Sequence, residues 1–203
     1  MKKIDNINEF KSKIKLICWD LDGTLFDTET MWYNMDKLVV EKYGSTLNNN
    51  QISKASEEIA ANTYKTIGYR ANADIALKYF KENNILQVII NKCDLTNKTM
   101  LNNKNVNKTF ALNNFDQLIS EKSFDDNFND EDMYLKALDM FGIKDKSSVV
   151  AICDMPFELK NAKNVGILTV WAKNKDYPFN EQELKDIEEN ADFYIEDFRD
   201  LIV

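Results

Sequence analysis

The chain has 203 residues, of which 44% are apolar and 30% charged, and its formal net charge is −8 at pH 7. This length fits one domain of roughly 150 residues with a small insertion, and the composition excludes collagen-like and Pro/Gly-rich disordered chains. The acidic balance argues against nucleic acid as a partner, because phosphate contacts require a basic surface. Neither a membrane span nor a signal peptide is expected, so we predict a cytoplasmic, monomeric protein.

Short apolar runs alternate with helical patterns along the chain, which predicts a parallel sheet with helices on its faces. The predicted strands span residues 14–19, 86–90, 115–119, 148–152, 167–171 and 193–195. The predicted helices span residues 71–82, 130–141, 156–164 and 181–189. Pro156 suits a first helical position, and Asn180 with Glu183 has the spacing of a capping box. The expected fold class is α/β, with a parallel sheet between layers of helices.

Residues 28–69 have a different pattern, with two predicted helices at 28–43 and 50–66 and no strand between them. Because this stretch directly follows the loop after the first predicted strand, it is interpreted as an inserted helical cap. The predicted domains are therefore an α/β core, residues 1–27 and 70–203, and a cap, residues 28–69. A further segment, 96–109, is rich in Asn, Lys and Thr and is interpreted as a weak helix or loop.

The residue inventory excludes several kinds of catalytic site. Histidine is absent, so there is no Ser-His-Asp triad, no Cys-His pair and no His-ligated zinc. The three cysteines, Cys18, Cys93 and Cys153, are far apart in sequence and form no CxxC pair. They are interpreted as reduced thiols rather than as a disulfide framework or zinc site. Catalysis would therefore depend on carboxylates, lysines, hydroxyls, amides and an oxygen-liganded metal.

The most specific sequence signal is the string DLDGTLFDTE, which follows the first predicted strand. On an extended chain the carboxylates of Asp20 and Asp22 point the same way, and Gly23 permits a sharp turn after them. Crowded carboxylates repel one another unless a cation lies between them, so the pair indicates Mg²⁺ with oxygen ligands.

This string resembles the first motif of the haloacid dehalogenase superfamily of phosphohydrolases. The resemblance extends over nearly the whole chain and implies a doubly wound parallel sheet with the active site at the carboxyl ends of its strands. The insertion after the first motif resembles the small helical cap of phosphoglycolate phosphatase-like members. Dehalogenases of the superfamily lack an aspartate at the position of Asp22, so the resemblance favours phosphoryl transfer over halide displacement.

The resemblance also implies roles for individual residues. Asp20 would be the nucleophile that forms an aspartyl-phosphate, and Asp22 the general acid and then the general base. Magnesium would be held by the Asp20 carboxylate, the Asp22 carbonyl and the fourth motif. That motif is Cys-Asp-Met-Pro-Phe-Glu, in which Asp154 and Glu158 would be metal ligands although the family usually has aspartate where Glu158 lies.

Two further positions depart from the family pattern. Asn91 lies where a serine or threonine usually donates a hydrogen bond to the phosphate, and its amide can also donate. The lysine that usually precedes the helix at 130–141 is replaced by Phe128. That lysine compensates charge on the nucleophile and the phosphoryl group. We predict that Lys122 takes this role, with Lys92 as the second choice.

Three functional hypotheses follow from these residues. The first is a Mg²⁺-dependent phosphatase, an enzyme that hydrolyses a small phosphorylated metabolite. The second is a degenerate, non-catalytic member that binds a phosphate ligand or a protein. The third is phosphate transfer between sugar positions, as in the mutase branch. Trp32 and Tyr33 are interpreted as packing residues, and the alternative is that they border a substrate. Arg70 is interpreted as a surface ion-pair residue, and the alternative is that it binds an anionic substrate.

Overall fold

The structure, a computed structural model, describes residues 2–4, 12–92, 115–124, 128–175 and 177–202. Seven strands in this part of the chain form one sheet in which every neighbouring pair is parallel. In chain order they are β1 (Lys2–Lys3), β2 (Leu16–Trp19), β3 (Leu86–Ile90), β4 (Gln117–Ile119), β5 (Val149–Cys153), β6 (Leu168–Ala172) and β7 (Phe193–Ile195). Their order across the sheet is β1-β7-β6-β5-β2-β3-β4.

Helices cover both faces of this sheet, as the predicted fold class requires. They are α1 (Glu29–Tyr33), α2 (Met35–Tyr43), α3 (Asn49–Thr63), α4 (Ala73–Glu82), α5 (Asp130–Met140), α6 (Pro156–Val165) and α7 (Glu181–Asn190). Side chains of α4 pack with one face of β2 and β5, whereas α5, α6 and α7 pack with the other face. The strands alternate between the two cores: Trp19 faces α4, and its neighbour Cys18 faces α5 and α6. The doubly wound α/β fold is confirmed.

Strand order reverses direction at β2, which places a crevice at its carboxyl end. From β2 the chain builds outward through β3 and β4 on one side, and through β5, β6 and β7 on the other. Such a topological switch point is where open parallel sheets bind ligands. The register aligns Trp19 of β2 with Ile152 of β5 and Ile89 of β3. The loops after these three strands therefore emerge together.

The prediction of one helix over 28–43 is wrong, because two helices separated at Asn34 occupy this stretch. The Asn34 side chain donates to the carbonyl of Thr30 at 2.8 Å, which is the kind of local bond that competes with a continuous helix. The next helix begins at Asn49, where Asn48 and Gln51 form a capping box. No strand lies among residues 28–69, all of which are described. Their assignment as a separate cap domain stays a prediction.

Two other differences concern the ends of the sheet. The pairing of Lys2–Lys3 with β7 was not predicted, since two lysines carry no strand pattern. The third predicted strand is shorter than expected and begins at Gln117. The expected N-terminal proline of α6 and the capping box of α7 are both present. The predicted segment 96–109 lies outside the described residues. No helix in the described part is long and apolar enough to cross a membrane.

Candidate active site

Three carboxylates converge at the carboxyl ends of β2 and β5. Asp20 directly follows β2, Asp154 directly follows β5, and Glu158 lies in the first turn of α6. One carboxylate oxygen from each residue lies within 4.8 Å of the other two. Opposite ligands of one Mg²⁺ ion are about 4.2 Å apart, since each bond is about 2.1 Å long. Neighbouring ligands of the same ion are closer, at about 3 Å, so the three side chains would move inward to share an ion.

Burial leaves these carboxylates poorly compensated. Asp20 is 6% exposed and Asp154 is fully buried. Among the described residues, three buried oxygens have no hydrogen-bond partner, and they are Asp20 Oδ2, Asp154 Oδ2 and Glu158 Oε2. Buried charged oxygens without a partner are costly, so their convergence indicates that a cation belongs there. The residues present therefore fit a divalent, oxygen-liganded metal.

The proximity of these groups also changes their acidity. Burial, followed by the charges of Glu158 and Asp22, raises the pKa of Asp20 well above its usual range. Burial raises the pKa of Asp154 to about 7, and the charge of Asp20 adds to this effect. The pKa of Glu158 is also raised, first by burial and then by the charge of Asp154. Each direction is that of a carboxyl group that needs a counter-ion to remain charged.

The turn after β2 is shaped around Asp154. Gly23 has φ +77°, and a Cβ atom at this position would lie 2.3 Å from Asp154 Oδ2 and 2.0 Å from Glu29 Oε2. The next residue, Thr24, is buried and donates from Oγ1 to Asp154 Oδ1 at 2.8 Å. Only glycine permits both the left-handed backbone and this close approach. The turn thus fixes Asp154 against the β2 loop.

Asp22 is held by two hydroxyl groups and lies apart from the three-carboxylate cluster. Its Oδ1 accepts a hydrogen bond from Thr28 Oγ1 at 2.9 Å and another from the hydroxyl of Tyr64. Thr28 Oγ1 in turn accepts from the backbone N–H of Gly23 at 2.9 Å. Tyr64 is fully buried and follows α3 directly. Residues on both sides of the predicted cap therefore orient this carboxylate.

Arg70, which was interpreted as a surface ion-pair residue, is half-buried and binds backbone carbonyls. Its guanidinium donates to the backbone carbonyls of Gly23 at 2.6 Å, Ala172 at 3.3 Å and Lys173 at 2.7 Å. It also lies over the ring of Phe198, 5.7 Å from the centroid. A planar group with several donors suits this bridging of carbonyls. Arg70 thus connects the β2 turn to the end of β6.

A cavity of about 420 Å³ lies at this site. Its lining includes Asp20, Asp22 and Glu158, together with Asn91 and Lys92. Asn91 directly follows β3, is 4% exposed and lines the same cavity as the two aspartates. Its role in binding phosphate stays a prediction. Pockets of 300–1,000 Å³ are typical of small-molecule sites.

The predicted lysines are placed less clearly. Lys92 lines the cavity, and its ammonium forms an ion pair with Asp130 at 2.9 Å. Lys122 belongs to the 3-10 turn Glu121–Ser123 after β4, but its side chain lies outside the described part of the structure. At the position of the usual lysine, Phe128 stacks on Phe124 with 4.8 Å between centroids. Substitution of Lys122 for the missing lysine stays a prediction.

Several residues of the site were not assigned from the sequence. Glu29 lies in the recognised motif string, is 7% exposed, and accepts from Asn174 Nδ2 at 3.2 Å. Burial raises its pKa to about 9, and Asp154 adds to the rise. Tyr64 and Tyr177 carried no recognisable signal. Cys18 and Cys153 are buried free thiols, as expected, whereas Cys93 lies outside the described residues.

No protein-family model matches the sequence, and a search of curated proteins found no match. Solved structures do match over almost their whole length. A haloacid dehalogenase-like family hydrolase from Streptococcus pneumoniae has a TM-score of 0.71 and 16% identity, covering 94% of this chain and 98% of that one. CbbY from Rhodobacter sphaeroides in complex with phosphate has a TM-score of 0.68 and 16% identity, covering 93% and 96%.

A third structure was determined with a metal. The haloacid dehalogenase hydrolase YfnB from Bacillus subtilis, bound to magnesium, has a TM-score of 0.68 and 9% identity, covering 94% of this chain and 100% of that one. At these identities the likeness establishes the fold, which is that of the haloacid dehalogenase-like hydrolases. The fold implied by the motif resemblance is therefore confirmed.

Proposed function

We propose that this chain, with its haloacid dehalogenase-like fold, is a Mg²⁺-dependent phosphatase of a small phosphorylated metabolite. The observation that carries the proposal is the convergence of three unpartnered carboxylate oxygens, from Asp20, Asp154 and Glu158, at a cavity that Asp20 and Glu158 line. A buried acidic cluster is costly unless it binds a cation. The structural relatives with bound phosphate and bound magnesium support the same chemistry.

Asp20 is the proposed nucleophile. One of its carboxylate oxygens attacks phosphorus, and the bond between phosphorus and the ester oxygen breaks. Asp22 donates its proton to that leaving oxygen, so an alcohol departs and Asp20 carries the phosphoryl group. Asp22 then takes a proton from water as the water oxygen attacks phosphorus. This second step releases inorganic phosphate and restores the Asp20 carboxylate.

The hydrogen bonds to Asp22 suit a group that transfers a proton twice. Thr28 and Tyr64 both donate to its Oδ1, which fixes the direction of the carboxylate relative to the cavity. Proton transfer by a positioned side chain contributes about 10²–10⁴ in rate, and this contribution depends on geometry. The orientation of Asp22 is therefore set before a substrate arrives.

The proposed Mg²⁺ ligands are the carboxylates of Asp20, Asp154 and Glu158 and the backbone carbonyl of Asp22. When bound, the ion supplies positive charge that offsets repulsion between the carboxylates and a phosphate dianion. Thr24 donates a hydrogen bond to Oδ1 of Asp154, whereas Oδ2 of Asp154 accepts no hydrogen bond. Oδ2 is therefore available as a metal ligand. Asn91 is the proposed donor to a phosphate oxygen.

The second candidate function is non-catalytic binding of a phosphate ligand. One observation favours it: the place of the usual lysine is occupied by Phe128, which stacks on Phe124. Losing one well-placed electrostatic contact typically costs about 10²–10³ in rate. Catalysis of phosphate-ester hydrolysis can reach about 10²¹-fold, so an enzyme without this lysine retains a large acceleration.

The two functions are separated by a screen of phosphomonoesters with Mg²⁺ and with EDTA, measuring inorganic phosphate. We expect Mg²⁺-dependent turnover that Asp20→Asn abolishes, because the amide is not a nucleophile. Asp27→Asn is the matched control, since Asp27 is in the same motif but exposed, and it should keep full activity. Turnover that survives in Asp20→Asn contradicts the mechanism. Phosphate binding without turnover of any ester supports the second candidate.

A further inference from the structure

Part of the cavity lining is aromatic, and we call this part the wall. Trp32, Tyr33, Phe157 and Tyr177 line it, together with Met155. Tyr33 and Phe157 are among the most exposed large apolar side chains of the described residues, at 60% and 50%. Packing of the fold does not account for rings that remain exposed at the edge of a cavity, and such patches commonly mark ligand-binding sites.

These rings come from separate parts of the fold. Trp32 and Tyr33 belong to α1, Phe157 to α6, and Tyr177 to the loop after β6. Tyr33 and Tyr177 meet edge to face, with 5.8 Å between their centroids. Tyr177 also contacts Phe179, which packs on Trp171 of the core. The wall is thus supported by the core on one side and by α1 on the other.

The charges of the described lining residues disfavour a substrate with a second phosphate. Four carboxyl side chains line it, and Lys92 is the only cationic lining residue among those described. The Lys92 ammonium already pairs with Asp130. Arg70 donates to three backbone carbonyls, so its guanidinium is engaged in the structure of the turn. A second phosphate dianion would meet carboxylates and rings, whereas an uncharged ring would meet favourable contacts.

We infer that the substrate is a phosphomonoester whose leaving group carries a planar aromatic or heteroaromatic ring, and that Tyr33 and Tyr177 bind this ring. The inference rests on the proposed phosphatase function for the site that receives the phosphate. Aromatic pairs contribute beyond their buried area through offset-stacked and edge-to-face contacts. The cavity volume of about 420 Å³ accommodates a phosphate with one such ring.

The test compares esters of alcohols with similar acidity, so that the leaving group does not decide the rate. Benzyl phosphate, cyclohexylmethyl phosphate and glycerol 1-phosphate are assayed with Mg²⁺. We expect kcat/KM for benzyl phosphate to exceed that for each of the other two by about tenfold, a ratio within the range of one or two aromatic contacts. Equal values for benzyl and cyclohexylmethyl phosphate, or a preference for glycerol 1-phosphate, overturn the inference.

Variants assign the effect to the wall. Tyr33→Ala should raise KM for benzyl phosphate about fivefold to tenfold with little change for glycerol 1-phosphate, and Tyr33→Phe should restore the benzyl value. Tyr43→Ala is the matched control, because Tyr43 is an exposed tyrosine of α2 outside the cavity lining. An equal increase of KM for benzyl phosphate and for glycerol 1-phosphate in Tyr33→Ala contradicts the inference.

A binding measurement separates failure of this inference from failure of the proposed function. Benzylphosphonate and cyclohexylmethylphosphonate cannot be hydrolysed, and their affinities in the presence of Mg²⁺ are measured by calorimetry. Tighter binding of benzylphosphonate that Tyr33→Ala weakens supports the aromatic site even where no ester is hydrolysed. Equal affinity for the two phosphonates overturns it even where phosphatase activity is found.

Discussion

The hydroxyl of Tyr64 donates a hydrogen bond to Oδ1 of Asp22, joining residues 42 positions apart in sequence. Tyr64 ends α3 in the segment that follows the first motif, and Asp22 is the proposed general acid and base. Thr28 donates to the same oxygen from the start of that segment. The geometry of Asp22 therefore depends on how residues 28–69 pack on the sheet.

Replacing Tyr64 by phenylalanine tests this dependence. We expect kcat to fall about tenfold with little change in KM, because a misdirected Asp22 loses part of the 10²–10⁴ that general acid–base catalysis contributes. Removal of a buried hydrogen bond to a charged group should also lower the free energy of unfolding by about 1.5–3 kcal/mol. Steady-state kinetics and urea unfolding measure the two effects. Tyr194→Phe in β7, outside the cavity lining, should change neither. An unaltered kcat in Tyr64→Phe contradicts a positioning role.

A pair of glycine variants tests the close approach at the first motif. Gly23 and Gly142 both have positive φ, but a Cβ atom at Gly142 would meet nothing within 4 Å. Gly142→Ala should therefore lower the free energy of unfolding only through backbone strain, by about 1–2 kcal/mol. Gly23→Ala should lower the free energy of unfolding by more than this. It should also weaken Mg²⁺ binding, because its Cβ atom would displace Asp154 and Glu29. Urea unfolding and calorimetric titration with Mg²⁺ measure these changes, and equal costs for the two variants would show that the approach is unimportant.

Two lysine variants identify the cation that replaces the missing family lysine. We predict that Lys122→Ala lowers kcat by about 10²–10³, the typical cost of one electrostatic contact to the reacting groups. Lys92→Ala should have a smaller effect, since Lys92 pairs with Asp130 and its side chain is 53% exposed. Lys160→Ala, an exposed lysine of α6, is the control. If all three variants turn over like the parent enzyme, the site works without a lysine.

The metal-free protein should lose stability as pH rises. Burial raises the pKa of Asp154 to about 7 and that of Glu29 to about 9, whereas both titrate near pH 4 in the unfolded chain. Between these values the folded state holds more protons than the unfolded state, so the free energy of unfolding decreases with increasing pH. Scanning fluorimetry in EDTA should show Tm falling from pH 5 to pH 9.

Magnesium should reverse this trend, because ligand carboxylates bind the ion in their charged form. The increase in Tm at saturating Mg²⁺ should be larger at pH 8 than at pH 5.5. Asp154→Asn should flatten the pH dependence without metal and remove most of the Mg²⁺ effect. A metal-free Tm that increases from pH 5 to pH 9 would mean that these carboxyl groups are already compensated by the chain.

Local patterns were sufficient to predict the order of the main strands and helices. Apolar runs such as Leu86–Ile90 are buried on both sides in a parallel sheet, so composition alone marks them as strands. The strand ends also placed Asp20, Asn91 and Asp154 at one edge, because parallel strands end together. The two-residue strand Lys2–Lys3 and the break at Asn34 escaped prediction, since each depends on a contact and not on periodicity.

What the sequence by itself determined is the chemistry available: carboxylates and an oxygen-liganded metal, with no histidine and few cationic residues near the motif. The motif string and its place after a buried strand are local properties. They were sufficient to identify Asp20 and Asp22 as candidate site residues. Only the tertiary structure decided what surrounds those carboxylates. Tyr64 donates a hydrogen bond to Asp22, and Arg70 donates to carbonyls at the end of β6. The rings of Tyr33 and Tyr177 are in contact. These partners lie 42 to 144 residues apart in sequence. Such contacts depend on how whole helices pack on the sheet. The periodicity of a single segment does not encode this packing.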